Sequence, residues 1–191
     1  MAKYILASAS PRRKQLLEWA ELDFDIIVAH TDESYPSNLT PEEVAIYIAW
    51  QKAKAVREKT GNSATIIAAD TIVVLNNEII GKPKGREDAI SILSKLSGQL
   101  HQVITGVAIL GKEEVSFADV TEVEFHTLSR QQIEFYIDKY QPYDKAGAYA
   151  IQEWIGVTGI SRINGDFYNV MGLPVSRVVK HLQQMGFKTH I

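Results

Sequence analysis

Tyr4-Ile5-Leu6-Ala7-Ser8-Ala9-Ser10-Pro11-Arg12-Arg13 sets a short apolar run against a small polar loop and then a helix start. Tyr4 to Ala7 reads as a strand. Ser10 followed by Pro11 reads as an N-cap with proline at the first helical position, where its missing N–H costs nothing, so a helix is expected over residues 10–20. Arg12 and Arg13 then fall in its first turn, where cations oppose the helix macrodipole and cost on the order of 0.3 to 1 kcal/mol each. Stability alone favours Asp or Glu there. A bound anion reverses the penalty, because it meets both guanidinium groups and the free N–H groups of the helix end. The alternative is a pair of exposed arginines on a surface helix.

Outward from this start, strands and helices alternate. A strand is expected around Phe24 to Val28, followed by a polar loop from His30 to Asn38. Thr40-Pro41-Glu42-Glu43 has the form of a capping box with proline at the first position, which predicts a helix to about Lys59 with Gly61 beyond its end. Thr65 to Leu75 is rich in Ile, Val and Ala; Asn76-Asn77 supplies a tight turn and Glu78 to Gly81 returns as a hairpin partner. Arg86 to Ser97 reads as a helix with Ala89, Ile90, Leu93 and Leu96 on one face and Gly98 as its stop. Strands follow at Gln102 to Leu110 and about Val115 to His126. Ser129 and Gln132 form a second capping box for a helix ending near Tyr140. Pro142 to Gly172 reads as a Gly-rich irregular segment, after which Pro174 opens a last helix closed by Gly186. Parallel-capable strands together with a hairpin predict an α/β (mixed α+β) fold, a twisted mixed sheet flanked by helices. Residues 1–191 are expected to form one domain, with two lobes around a central cleft.

The 191 residues, 46% of them hydrophobic, suffice for a substantial core, and a net charge of −3 argues against a general nucleic-acid binder. Any polyanion must be held by a local cluster of positive charge. No apolar run approaches the roughly 20 residues that span a bilayer, and Met1-Ala2-Lys3 leads into a strand rather than a signal peptide. The chain has no cysteine, which fits a reducing compartment, so the expected address is the cytoplasm.

Asp70 interrupts the apolar stretch Ile66-Ile67-Ala68-Ala69-Asp70-Thr71-Ile72-Val73-Val74, where an unpaired carboxylate is expensive. A general base or a ligand for a hard divalent cation suits such a position; a strand-end Asp capping a turn is the structural alternative. Lys52 shares a helical stripe with Val44, Ile48, Ala55 and Val56, so its ammonium either reaches a cleft or snorkels to solvent. Lys82, in Gly81-Lys82-Pro83, follows the hairpin strand that returns towards Asp70. With Arg12, Arg13 and Lys52 it supplies the dispersed positive charge that a triphosphate requires. Glu33 is a candidate to share a cation with Asp70, or else an ordinary solvated loop acid. His101 reads as a structural hydrogen-bonder, since neither a serine-hydrolase elbow nor a cysteine accompanies it. Asp144 to Gln152 offers small residues for close backbone approach, and the Gln152 amide can read a base edge or a phosphate. Asn169, Met171 and Gly172 are read as shaping the entry to the last helix. Neither GxxxxGK[ST] nor GxGxxG occurs, so no P-loop or Rossmann site is supported.

This ordered set resembles the Maf family of nucleoside triphosphate pyrophosphatases through nearly the whole chain. The matching motifs are Ser8 to Arg13, the Glu33 loop, Gln51-Lys52-Ala53, Ala68 to Thr71, Gly81-Lys82-Pro83, Leu96-Ser97-Gly98 through His101 to Thr105-Gly106, Asp144 to Gln152 and Asn169 to Pro174. The resemblance implies a Maf/ITPase-like fold and a house-cleaning enzyme that splits a nucleotide between its α and β phosphates, assisted by Mg²⁺ or Mn²⁺. It also implies that Asp70 is the catalytic proton acceptor, and Asp70 and Glu33 are the expected metal ligands. Arg12, Thr71 and Gln152 match the specificity positions of the branch acting on dTTP and UTP; Ser8, Arg13, Lys52 and Lys82 are expected to hold the phosphates. Glu153 departs from the family pattern, which has glycine after the glutamine. A homodimer is common among relatives. A nucleotide-sensing regulator of septum formation and a phosphatase releasing orthophosphate are the competing readings.

Overall fold

The computed structural model describes residues 4–62 and 64–186; Met1-Ala2-Lys3 lies outside them. The chain begins with β1 (Tyr4–Leu6), α1 (Pro11–Trp19), β2 (Phe24–Ile26) and α2 (Pro41–Thr60). It continues through β3 (Thr65–Leu75), β4 (Glu78–Ile80), α3 (Arg86–Leu96), β5 (Leu100–Leu110), β6 (Glu114–Phe125) and α4 (Arg130–Tyr140). Then come a 3-10 turn (Ala146–Ala148), α5 (Trp154–Gly159), β7 (Ile160–Asn164), α6 (Phe167–Met171) and α7 (Val175–Gln184). The strands form a mixed seven-stranded sheet in the order β2-β1-β3-β5-β6-β7, with β4 paired to β3 off this path. β1 is parallel to both β2 and β3, whereas β4 and β7 pair antiparallel with β3 and β6. The expected mixed sheet with flanking helices is thus present. No described helix is long and apolar enough to cross a membrane.

Local chemistry explains most boundaries. Both capping boxes form: Thr40 Oγ1 accepts from the Glu43 N–H while Glu43 accepts from the Thr40 N–H, and Ser129 and Gln132 exchange the same pair of bonds. Asn76 and Asn77 both take positive φ, 50° and 66°, as a two-residue type I′ hairpin turn requires. Two expectations fail. Ser10 occupies the N-cap position of α1, but its side chain makes no capping bond. The segment from Pro142 to Gly172 is not irregular, since it contains α5, β7 and α6. These escape periodicity because they are five or six residues long, and α5 carries glycine at positions 156 and 159.

The residues group into two compact units. Among the described residues, the first comprises residues 4–70, Thr105–Asp119 and 172–186; the second comprises Thr71–Ile104 and Val120–Met171. In the first, Ala49, Ala53 and Val56 of α2 pack with Ile5 of β1, Ile66 and Ala68 of β3, and Ala108 and Leu110 of β5. The alanines permit close approach, and Gly106 makes it closer: a Cβ there would lie 2.1 Å from the Ala45 carbonyl carbon of α2. In the second, α3 buries Ala89, Ile90, Leu93 and Leu96, the face expected from sequence, and α4 buries Ile133, Tyr136 and Ile137.

His101 is buried in the second unit, its Nε2 bonded to the Tyr149 hydroxyl at 2.8 Å and its ring stacked on Phe125. That is the structural role expected for it. Burial lowers its pKa from 6.5 to about 4. A depressed histidine pKa means that the native state favours the neutral ring: the contribution is complete above pH 6.5 and is lost as pH falls towards about 4. Denaturant midpoints should fall across that window, and less steeply in a His101→Gln variant. Equal slopes would show that the imidazole does not titrate with unfolding.

Candidate active site

The candidate site lies in the first unit, at the carboxyl end of β1. The parallel register sets Leu6 opposite Ile67, and the Ala7 N–H donates to the Ile67 carbonyl at 2.8 Å. This delivers Ser8 beside the segment of β3 that leads to Asp70. Ligands of α/β proteins gather at such carboxyl ends.

Ser8 is buried, and its Oγ accepts from the Ser10 N–H at 3.2 Å and from Arg13 Nη1 at 3.2 Å. Arg13 Nε donates to the Gly172 carbonyl at 2.7 Å. Gly172 has φ of 120°, a conformation that a side chain would resist. The arginine is therefore fixed at both ends of its guanidinium, one of them by a backbone carbonyl from the far end of the chain. Burial lowers the Arg13 pKa; Asp70 opposes that shift, Arg12 adds to it and Glu33 opposes it. The group stays charged at neutral pH because arginine starts so high. Pro11 opens α1 and no acidic residue sits in its first turn, so the helix end has positive side chains and no carboxylate of its own.

Asp70 follows Ile66, Ile67, Ala68 and Ala69, all 0% exposed, and is itself 9% exposed. It is paired. Lys52 Nζ lies 2.6 Å from Asp70 Oδ1 and 2.8 Å from Glu33 Oε1, with the lysine side chain only 17% exposed. The stripe on α2 thus carries Lys52 inward rather than to solvent. The lysine holds two carboxylates, one on a rigid strand and one on an exposed loop. A cation already stands between two hard oxygen donors, which is the donor chemistry Mg²⁺ or Mn²⁺ takes. No group of three or more His, Cys, Asp or Glu residues suited to a metal occurs among the described residues, so waters and substrate oxygens would have to complete such a shell.

Six of the residues singled out by sequence are brought together: Ser8, Arg12, Glu33 and Asp70 are joined by contact or charge coupling to Arg13 or Lys52. Thr71, Lys82 and Gln152 belong to the second unit. Lys82 is exposed, and the carbonyl of its neighbour Gly81 accepts from the Gly147 N–H at 3.2 Å. Gln152 is exposed on the turn before α5. Three features were not anticipated from sequence. Gly172 supplies a carbonyl to Arg13 as well as shaping a helix entry, Lys145 is 9% exposed and paired with Asp144 at 2.7 Å, and Tyr136 bonds Glu153. The only sequence signal for Lys145 was its place among small residues. Asn169 is fully buried and donates to the Val103 carbonyl at 3.1 Å and to Thr121 Oγ1 at 3.0 Å, a structural part.

The profile of the family described as Maf-like protein matches residues 3–185. The dTTP/UTP pyrophosphatase of Cytophaga hutchinsonii is 52% identical over 182 residues, 95% of this chain and 83% of that protein. The proteins of the same name from Bacteroides fragilis and Porphyromonas gingivalis are 46% and 45% identical, with 96% of this chain covered in both cases and 96% and 94% of theirs. Among solved structures, the Ham1 protein of Staphylococcus aureus is 20% identical at a TM-score of 0.46, covering 64% of this chain and 71% of that one; this likeness is too loose to carry an argument.

Proposed function

The chain belongs to the Maf family, and from that membership we propose that it hydrolyses dTTP and UTP to the monophosphate and pyrophosphate, cleansing the nucleotide pool. The observation that carries the proposal is the cluster in which Lys52 joins Asp70 to Glu33 beside the arginine-bearing Ser8 loop. It offers a desolvated carboxylate for proton abstraction next to fixed positive charge, the two requirements of attack on a phosphoanhydride.

Asp70 orients a water and takes its proton as the water's oxygen bonds the α-phosphorus, and the bond from that phosphorus to the oxygen bridging to the β-phosphate breaks. Lys52 aims the carboxylate through a charge-assisted bond. Arg12, Arg13 and Lys82, with the Ser8 loop, offset charge on the phosphates and on the departing pyrophosphate. Thr71, Arg12 and Gln152 select the pyrimidine. Glu33 and Asp70 would hold Mg²⁺ or Mn²⁺, which when bound neutralises phosphate oxygens. The lack of cysteine supports a reducing, cytoplasmic setting.

The test is product analysis over a panel of pyrimidine and purine triphosphates with Mg²⁺. Pyrophosphate and monophosphate should appear fastest from dTTP and UTP, and EDTA should suppress both until Mg²⁺ is restored. Orthophosphate as the product would make the protein a phosphatase. Tight binding without any product would favour the nucleotide-sensing regulator.

A further inference from the structure

Gln152 sits on a four-residue turn, Ala150 to Glu153, closed by the Glu153 N–H donating to the Ala150 carbonyl at 3.1 Å. Ala150 and Ile151 are buried and Gln152 is exposed, so the turn faces inward at its start and outward at the glutamine. One hydroxyl holds both ends. Tyr136, fully buried in α4, accepts from the Ala150 N–H at 3.1 Å and donates to the Glu153 carboxylate. Lys145 Nζ stands 3.9 Å from the same carboxylate. On the far side, the Glu153 carbonyl accepts from the Gly156 and Val157 N–H groups at 3.0 and 3.2 Å, tying the turn to α5. A Cβ at Gly156 would lie 1.7 Å from the Ile151 carbonyl oxygen, so the turn and helix pack as tightly as backbone allows.

We propose that Tyr136 and Glu153 are positioning residues for nucleobase selection: the hydroxyl clamped across the turn fixes the direction in which the Gln152 amide is presented. This rests on the specificity role assigned to Gln152 above. A side-chain amide discriminates between base edges only if its donor and acceptor are held in one orientation, and the Tyr136 hydroxyl spans both ends of the turn that carries it. The Glu153 carboxylate gives the Tyr136 hydroxyl its partner on that side of the turn.

The experiment measures kcat and KM for dTTP and dGTP in the intact protein and in Tyr136→Phe, Glu153→Ala, Glu153→Gln and Gln152→Ala. Tyr136→Phe keeps the ring stacked on Tyr140 and removes only the hydroxyl. Its selectivity, the ratio of kcat/KM for dTTP to that for dGTP, should fall about tenfold, through a raised KM for dTTP with kcat within about twofold. Glu153→Ala should behave alike, and Glu153→Gln, which still accepts from Tyr136, should restore most of the ratio. Tyr136→Phe added to Gln152→Ala should lower selectivity no further. A purely structural role would instead depress turnover of both nucleotides together, and that result overturns the proposal. Loss of selectivity in Gln152→Ala but not in Tyr136→Phe removes the positioning role alone. Full selectivity in Gln152→Ala removes the specificity role beneath it. Should Tyr136→Phe fold poorly, Glu153→Ala and Glu153→Gln carry the same comparison.

Discussion

Asp70→Asn is expected to lower kcat for dTTP and UTP by about 10²- to 10⁴-fold, the range a positioned general base contributes, while nucleotide affinity changes by no more than a few fold. The asymmetry follows from where the carboxylate sits. Asp70 is carried on β3 behind four residues that are 0% exposed, so the substitution alters one atom's chemistry on a rigid support. Asparagine keeps the volume and leaves an oxygen for Lys52, which lies 2.6 Å from Asp70 Oδ1 in the parent protein. It cannot take a proton. In the proposed site, binding rests on Arg13 and Ser8, whose mutual bond and whose tie to Gly172 do not involve Asp70. Pyrophosphate release measured beside equilibrium binding of a non-hydrolysable triphosphate separates the two effects. An unchanged turnover number would remove Asp70 from the chemistry.

Gly106→Ala is expected to cost about 3 kcal/mol of stability, which for a chain of this length corresponds to a melting point roughly 6–12 °C lower. The added Cβ would lie 2.1, 2.3 and 2.3 Å from the Ala45 carbonyl carbon, the Ala45 oxygen and the Ile46 nitrogen. These are backbone atoms inside a helix and cannot rotate aside. Relief requires moving α2 off β5, and α2 also carries Lys52, so Lys52 should lose its register with Asp70 at temperatures where the protein is still folded. Calorimetry and turnover below the melting point check the two consequences separately. A melting point within about 1 °C of the parent would mean that α2 yields freely at this contact.

What the sequence revealed, and what it hid, follows from how local the controlling physics is. Thr40 with Glu43 and Ser129 with Gln132 announce helix starts because both members of each box lie within one turn. The apolar run of β3 and the paired asparagines after it are equally local. Asp70 was legible because a carboxylate in such a run demands a partner, and Lys52 because its stripe is otherwise apolar; that they are each other's partner is a tertiary fact. Ser10 shows the opposite error: residue type and position were right, but its side chain makes no capping bond, and it is the Ser10 N–H that is engaged, by Ser8 Oγ. β7 exists because β6 offers an edge to Ile160–Asn164, a strand in which only Ile160 and Ile163 are partly buried and which has no signal of its own. Tyr136 and Glu153 are 17 positions apart, and neither has a motif that points to the other.

The bond from Arg13 to the Gly172 carbonyl joins residues 159 positions apart. During synthesis, at about 5–20 residues per second, Arg13 leaves the ribosome many seconds before its partner exists. Contacts of such long range are made late, after the loop they close has been collapsed by nearer ones. A nascent chain can therefore assemble β1, α1 and α2 while the guanidinium still lacks its anchor. The Ser8–Arg13 segment is made first, yet it gains this long-range anchor only once Gly172 has been added.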